Sequence, residues 1–462
     1  ELSAQRFVLD VPSPTVADEI EWPEIDISVV AFNSSRWVCS FFESLIAQCY
    51  PLSKIHLRVI DHGSADDTLL LFEGLLSAHG YKFASTQVIQ QKNLGFGAGH
   101  DRAIREGHSD YCLIVNLDLE FLTNSITQAL HVALQDVGSC VASWEFRQIP
   151  YEHPKYHDPI TLMTNWSSHA CVLLRRDAYL RCGGYDDAIF MYAEDVELSY
   201  RLRSFGYTLK YLPSAVVHHH SYASAGEVKP LQYIGSALGN AYVRLRYGSF
   251  MDRLAAITLY GRLFLHPSPF PGAKRLLLRN AFKLASKVPH FLRGKGAMAV
   301  SYPFHGYDYE LIQDGAFIEL DPIRERADSP LVSVITRTYQ GRGMFLKQAL
   351  LSVFNQTYQN IELIISEDGG DTQRGLVESI ALCAPEHVSV RFLSNPKIGR
   401  SGTGNASMAV ATGKYMMFLD DDDLLFADHI EVLMDRLIRE PELSAAYGLS
   451  FEVHTAVADD KG

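Results

Sequence analysis

Two stretches of this chain, about 305 residues apart, run through the same succession of motifs. They open as DISVVAFNSS (residues 26–35) and LVSVITRTYQ (residues 331–340). Each opening is a β-branched run ending in a polar turn with an aromatic residue, which reads as a buried first strand. An amphipathic helical segment follows and closes on a related tag, SLIAQCYP (Ser44 to Pro51) or SVFNQTYQ (Ser352 to Gln359). A second apolar strand then ends on an aspartate, Asp61 in IHLRVIDHGSADDT and Asp368 in IELIISEDGGDT. A Gly-rich turn comes next, NLGFGAGHDRAI from Asn93 and NPKIGRSGTGNASMA from Asn395. Finally a hydrophobic strand delivers carboxylates, Asp118 in YCLIVNLDLE and Asp420 to Asp423 in YMMFLDDDDLL. Asp61 and Asp118 lie 57 residues apart, and Asp368 and Asp422 lie 54 apart. A period this long duplicates a domain, not a solenoid unit. Strand–helix alternation predicts a parallel α/β sheet in each copy, with the polar motifs at the carboxyl ends of the strands, where such sheets carry their sites.

The resulting division has an N-terminal arm over 1–24, a first domain over 25–224, a mostly helical linker over 225–328 and a second domain over 329–462. Within the linker, residues 253–295 are basic, with Arg253, Arg262, Lys274, Arg275, Arg279, Lys283, Lys287, Arg293 and Lys295 against no acids, and Pro267, Pro269 and Pro271 break it. The second copy is expected to be incomplete. Asp118 to Asp195 spans 77 residues, and the same step from Asp422 passes the last residue, Gly462. The chain starts at Glu1 and reads as a piece of something longer. Its formal net charge of −13 argues against a nucleic-acid partner. The seven cysteines form no C-x-x-C pair and read as reduced thiols of a cytoplasmic protein. No signal peptide is read, and no apolar run approaches the ~20 residues of a membrane-spanning helix.

A nucleoside diphosphate sugar would need four things from these motifs: an acceptor for base or ribose donors, a cation on the departing diphosphate, a base for the acceptor hydroxyl and a pocket for the acceptor. Asp61 and Asp368 suit the first, since a strand-end carboxylate accepts hydrogen bonds. The alternative is a turn or capping aspartate. Asp118 and the Asp420–Asp423 run suit the second, as oxygen ligands for Mg²⁺ or Mn²⁺. A solvated acidic turn is the alternative, and Asn116 leaves the first copy with one carboxylate plus an amide. The Gly-rich turns do not match the dinucleotide fingerprint; they read as tight turns into helices, with Arg102 or Arg400 available to a diphosphate. Further on, GGYDDAIFMYAEDVELSYRLRSFGY places Glu194 and Asp195 at the start of an amphipathic helix with Leu198, Leu202 and Phe205 as its apolar face. One of the two carboxylates suits proton abstraction, against a simple capping role. Three histidines, His218 to His220, follow a strand-like run, and one of them is expected to be a metal ligand.

Together these residues resemble the family 2 glycosyltransferases of the GT-A fold, closely over residues 25–250 and most like the rhamnosyltransferase-type subgroup with Asn-x-Asp. The second copy is similar through TRTYQ, EDGGD, NPKIGRSGTGNA and FLDDDD, although Gly370 stands where serine is usual. The resemblance implies nucleoside contacts at Phe32, Asn33 and Asp61, with Asn93 and Asn116 in the same donor site. It implies metal at Asp118 and His219, with His218 the second choice, and a general base at Asp195 supported by Glu194. Trp166 and Tyr192 would form the acceptor wall. In the second copy Tyr339, Asp368, Arg400 and Asp420 would take the nucleotide and Asp422 the metal. The expected activity is an inverting, Mn²⁺- or Mg²⁺-dependent transfer of a sugar, for instance rhamnose, to a saccharide or lipid-linked saccharide acceptor in bacterial surface polysaccharide assembly. Residues 250–296 suit an anionic membrane's inner face or a protein partner, or equally a solvated face. The rival readings are a degenerate module that holds a nucleotide sugar or a partner without turnover, and a nucleotidyltransferase. The latter lacks its basic Gly-rich loop after the first strand.

Overall fold

A computed structural model describes residues 21–152, 155–220, 229–293, 302, 304 and 329–453. Most of the arm over 1–24 and much of the stretch over 294–328 lie outside these residues. The chain forms two compact units, one within residues 17–325 and one built from residues from 326 on.

The first unit runs β1 (Ile25–Ala31), α1 (Ser35–Ile46), β2 (Ile55–Asp61), α2 (Thr68–His79), β3 (Ser85–Gln90), α3 (Phe96–Glu106), β4 (Tyr111–Val115), β5 (Leu119–Phe121) and α4 (Ser125–Gln135). It continues with β6 (Val141–Ile149), β7 (Met163–Thr164), β8 (Cys171–Arg175), α5 (Arg176–Arg181), α6 (Glu194–Ser204) and β9 (Thr208–His219). Three helices follow: α7 (Pro230–Tyr247), α8 (Phe250–Leu265) and α9 (Ala273–Phe291). The strand order is β3-β2-β1-β4-β8-β6-β9-β5, with β7 on β9. The β3-β2-β1-β4 half is parallel, while β8 runs antiparallel to β4 and β6. The expected mixed α/β sheet flanked by helices is therefore present. Strand β1 is buried on both faces, as parallel strands covered by helices must be. Val38, Phe41, Phe42 and Leu45 recur at helical spacing on α1 and seal one face. Ala103 and Ile104 of α3 lie against the other.

The second unit runs β10 (Val332–Thr338), α10 (Gly343–Phe354), β11 (Ile361–Asp368), α11 (Arg374–Ala381), β12 (Val388–Asn395), α12 (Gly399–Met408), β13 (Tyr415–Phe418) and α13 (His429–Arg439). Its parallel order, β12-β11-β10-β13, repeats β3-β2-β1-β4. The repeated helix-end tag has a structural cause. Gln48 Nε2 donates to the Leu122 carbonyl while its Oε1 accepts from Ile126 N–H, and Gln356 does the same with Phe426 and Ile430. Ser44 and Ser352 accept from Phe121 and Leu425 N–H, and Tyr50 and Tyr358 donate to the Pro23 and Pro330 carbonyls. Each tag ties the first helix to the chain leaving the acidic strand tip. These buried bonds satisfy backbone groups that would otherwise be orphaned.

Two features differ from the sequence expectation. Helix α6 is buried almost all round, not amphipathic: Leu198 and Leu202 join one apolar cluster, Val196 and Tyr200 another, and Phe205 at its end is exposed. Glu197 and Arg201 are buried between the clusters as an ion pair at 2.7 Å. Helices α7 to α9, read as linker, pack on the first unit. Arg246 of α7 bridges Glu197 and Asp186, at 2.5 and 2.8 Å, and His290 of α9 reaches Asp186 at 3.0 Å. Gly235 and Gly239 let α7 approach Tyr192 and Ala193, where a Cβ would stand 2.3 and 2.4 Å from their side chains.

Candidate active site

The tip of β4 carries Asn116, Leu117 and Asp118. Neighbouring β9 pairs antiparallel with β5, which sets Leu119 opposite His219, and His220 N–H donates to the Asp118 carbonyl. Side chains alternate along β9, so only one of the three histidines faces Asp118. His219 Nε2 lies 3.4 Å from Asp118 Oδ1. His219 Nδ1 donates to Gln148 Oε1 at 2.7 Å, which turns Nε2 toward the carboxylate. His218 points the other way, against the His220 ring, and its buried Nδ1 has no partner among the described residues. His220 bonds Glu120 at 2.9 Å and stacks on Trp37. The metal expectation at His218 is thus corrected by strand alternation. Burial pushes the Asp118 carboxyl up, but the His219 hydrogen bond and charge outweigh it, and the carboxyl sits below its ordinary value.

One carboxylate oxygen and one imidazole nitrogen suit Mn²⁺ or Mg²⁺, which accept few protein ligands when phosphate oxygens and waters complete the shell. The described residues hold no cluster of three or more His, Cys, Asp or Glu that could bind a metal by themselves.

The acid pair opens α6. Tyr192 and Ala193 precede it in left-handed backbone, φ 69° and 71°, a conformation costly for side-chain-bearing residues and held here by α7. Glu194 is buried, and its Oε2 has no partner among the described residues. Asp195 is half-buried and accepts from Val196 N–H at 2.8 Å and from the His169 N–H. Burial raises both carboxyls, and the neighbouring Asp195 charge raises Glu194 further, so the pair holds one proton above the usual carboxylate range. The adjoining residue Ala170 accepts from Asn116 N–H at 2.8 Å, so the start of β8 connects the acid pair to the Asp118 tip.

Trp166, expected on the acceptor wall, is buried with Ala193, Val196, Tyr200 and Val243, under a Lys155 ammonium 4.8 Å from its ring centre. It underlies the acid pair and lines no open surface. Tyr192 is half-buried against Gly235. Phe190 and Met191, in the same loop, are the exposed apolar residues there. Sequence reasoning missed them, because nothing local separates them from core residues.

The sheet order brings Phe32, Asn33, Asp61 and Asn93 to adjoining loops. Phe32 is half exposed. Asn33, at φ 50°, donates to Ser64 Oγ and accepts from Ala65 N–H, which knits the first loop to the second. Asp61 is 2 % exposed and accepts from the Gly63 and Ser64 N–H groups, so it holds its own turn. Asn93 accepts from Gly95 N–H at 3.1 Å. The Gly-rich turn is a close approach: a Cβ on Gly95, at φ 106°, would stand 2.2 Å from the Phe190 carbonyl oxygen. Arg102 is engaged by Glu106 and Gln91.

In the second unit three arginines balance the aspartate run. Arg337 and Arg400 hold Asp420 at 2.7 and 2.6 Å, and Arg342 holds both Asp421 and Asp422 at 2.7 Å. Sequence spacing suggested that a cation or solvent must relieve this repulsion; arginines from β10, α12 and the turn before α10 do so for Asp420 to Asp422, while burial and the Asp422 and Asp420 charges raise the Asp423 carboxyl. Arg342 lowers the Asp422 carboxyl. Asp368 accepts from Ile398 and Gly399 N–H and pairs with Lys397, and Tyr339 is half exposed beside it.

A mixed α/β sheet whose strand tips carry a carboxylate–imidazole pair, linked to an acid pair at a helix start, has the groups that transfer from a diphosphate donor requires. The sequence profile of "Glycosyl transferase family 2" matches residues 26–196 and 333–451, and the chain belongs to that family. Over 110 residues it is 36% identical to N-acetylglucosaminyl-diphospho-decaprenol L-rhamnosyltransferase of Mycobacterium tuberculosis (strain ATCC 25618 / H37Rv), covering 23% of this chain and 36% of that one. Over 195 residues it is 32% identical to chondroitin synthase of Escherichia coli, covering 40% of this chain and 24% of that one. The chain thus spans well under two thirds of these relatives. Among solved structures, GalNAc-T7 with UDP, GalNAc and Mn²⁺ is similar at a TM-score of 0.43 and 11% identity, over 59% of this chain and 57% of that one.

Proposed function

We propose that the first unit transfers a sugar, with inversion, from a nucleoside diphosphate sugar to a saccharide acceptor in bacterial surface polysaccharide assembly. The observation that carries this reading is the Asp118–His219 pair at the strand tip, with His219 oriented by Gln148. Asp118 and His219 would hold a divalent cation. The cation would offset charge on the departing diphosphate. The loops bearing Phe32, Asn33, Asp61, Asn93 and Asn116 would receive the nucleoside side of the donor. For Asp61 this means contact through the turn it braces, since its carboxylate is largely spent on that turn.

Asp195 takes the acceptor hydroxyl proton as the new glycosidic bond forms. A carboxyl raised by burial is a stronger base than a free one, and partial exposure lets the acceptor reach it. Glu194 stays beneath it and holds the shared proton when Asp195 is ionised. Tyr192, Phe190 and Met191 supply the surface beside the pair on which a sugar ring can lie. By their names, the relatives given above transfer rhamnose and synthesise chondroitin, and a rhamnosyl donor is one specific form of this reading.

In the second unit the arginines on Asp420 to Asp422 favour a nucleotide-holding role. Arg400 is largely exposed and can leave Asp420 for a diphosphate.

Calorimetry tests the proposal. UDP, dTDP and GDP are titrated with and without Mn²⁺ into the wild type, Asp118→Ala and His219→Ala. One nucleotide should bind in a metal-dependent way, and both variants should lose that dependence. Failure of every nucleoside diphosphate to bind the folded wild type would refute catalysis by the first unit and leave only a scaffold that holds a partner.

A further inference from the structure

Helices α8 and α9 form a surface whose chemistry the active site does not use. In α8, Ala256, Tyr260 and Leu263 are buried and recur every three to four residues, which is one full face. A surface helix should turn polar residues outward. Here the outer face carries Phe250, Met251, Leu254, Ile257 and Leu265, with exposures of 80, 67, 46, 65 and 86 %. The helix is apolar on both sides, and a contiguous exposed patch of this kind marks a contact surface. In α9 the buried residues are Ala273, Leu277, Asn280 and Phe291. Its outer face mixes Lys274, Arg275, Arg279 and Lys283 with Leu278 and Phe282, the last 72 % exposed. Residues 253–293 contain eight Lys and Arg and no Asp or Glu, in a chain of net charge −13.

We infer that α8 and α9 dock the first unit on an anionic lipid surface. The large apolar side chains enter the headgroup–acyl boundary, while the lysines and arginines meet the lipid phosphates. No described helix is long and apolar enough to cross a membrane, so the geometry is that of a helix pair lying along the surface. A second copy of the chain fits poorly. A two-fold contact would set this all-cationic segment against itself. A nucleic acid would meet the cations but leave the apolar face of α8 in water. The surface is anchored to the catalytic loop through Arg246, Asp186 and His290, so docking would fix the orientation of the site relative to the bilayer.

The test is co-sedimentation of the full chain with vesicles of phosphatidylcholine alone and of phosphatidylcholine with about a third phosphatidylglycerol. No donor or acceptor is present, so the outcome is independent of the transfer reading. Binding should be at least about tenfold tighter to the anionic vesicles and should weaken in 1 M salt, where the screening length falls to about 3 Å. Arg275→Glu/Arg279→Glu should reduce it by more than about 25-fold, at roughly fivefold or more per cation lost. Ile257→Gln/Leu265→Gln, at exposed positions, should reduce it with unchanged circular dichroism and melting. Equal affinity for neutral and anionic vesicles, no binding to either, or binding untouched by both folded variants would overturn the inference. Concentration-dependent dimerisation without lipid, abolished by Ile257→Gln/Leu265→Gln, would overturn it in favour of self-association. Vesicle-independent binding to an acidic protein would do so in favour of a protein partner.

Discussion

Replacing Gly239 with alanine measures how tightly α7 holds the acid pair. A Cβ there would lie 2.4 Å from the Ala193 Cβ and 2.7 Å from the Tyr192 carbonyl oxygen, whereas ordinary contact begins at 3.4 Å. Either α7 or the left-handed Tyr192–Ala193 turn must retreat by roughly 1 Å. Overpacking of this kind costs about 1–3 kcal/mol, and the helix propensity of alanine returns at most about 1 kcal/mol. The net expectation is a loss of about 1–2 kcal/mol, read as a melting point lower by roughly 2–8 °C. Gly261 of α8 is the matched control, because nothing lies within 4 Å of a Cβ built there. Gly261→Ala should stabilise by about 0.5–1 kcal/mol. Turnover of the donor identified by calorimetry should fall about 100-fold in Gly239→Ala, since the turn leads directly into Glu194 and Asp195 and a displacement near 1 Å is of that order in rate. If Gly239→Ala melts at or above the wild type, as Gly261→Ala should, then α7 does not brace the turn and the overpacking expected at Gly239 is refuted.

Four further outcomes are expected. Gln148→Leu should weaken Mn²⁺ binding about 10–100-fold, measured by electron paramagnetic resonance of the free ion, while Gln148→Glu, which keeps the acceptor for Nδ1–H, should retain it; equal affinities would remove Gln148 from the site. Glu194→Gln should stabilise the protein more at pH 8 than at pH 5. The Glu194 carboxyl is pushed up to about 8 by burial and by Asp195, so its contribution is complete below the ordinary carboxylate range and is lost as the pH rises toward 8. Each pH unit across that window removes at most about 1.4 kcal/mol. A pH-independent difference in denaturant unfolding would contradict the buried pair. Arg246→Met should cost about 3 kcal/mol in denaturant unfolding, because it takes the shared cation from two buried carboxylates and leaves Glu197 to Arg201 and Asp186 to His290. Asp186 itself is pushed up by burial but held lower by His290 and Arg246, so its contribution is full above pH ~4 and is lost as the pH falls. Asp186→Asn should therefore flatten the acid limb of the stability curve.

The duplicated fold was legible because its signals are local. β-branched runs, helical spacing and strand-end aspartates are properties of ten-residue windows, and two copies of each made chance agreement improbable. The same locality explains Asp118 and the acid pair, which sit where a strand ends and a helix begins. It also explains why the reading of three consecutive histidines could narrow only to His219 or His218. Which of them faces Asp118 depends on the register of β9 against β5, a pairing across about 100 residues. Gln148, 71 residues from His219, carries no motif at all. Trp166 looks like a surface aromatic in TNWSSH and is buried because α6 and α7 close over it.

Strand and helix propensity, the repeat and the candidate carboxylates at strand and helix ends thus belong to the sequence alone, since each depends on neighbours within a few turns. Charge balance and exposure belong to the tertiary structure. Four adjacent aspartates cannot announce that three arginines from separate elements will meet three of them. A helix apolar on both faces cannot announce which face stays in water, because burial is settled only when distant segments pack.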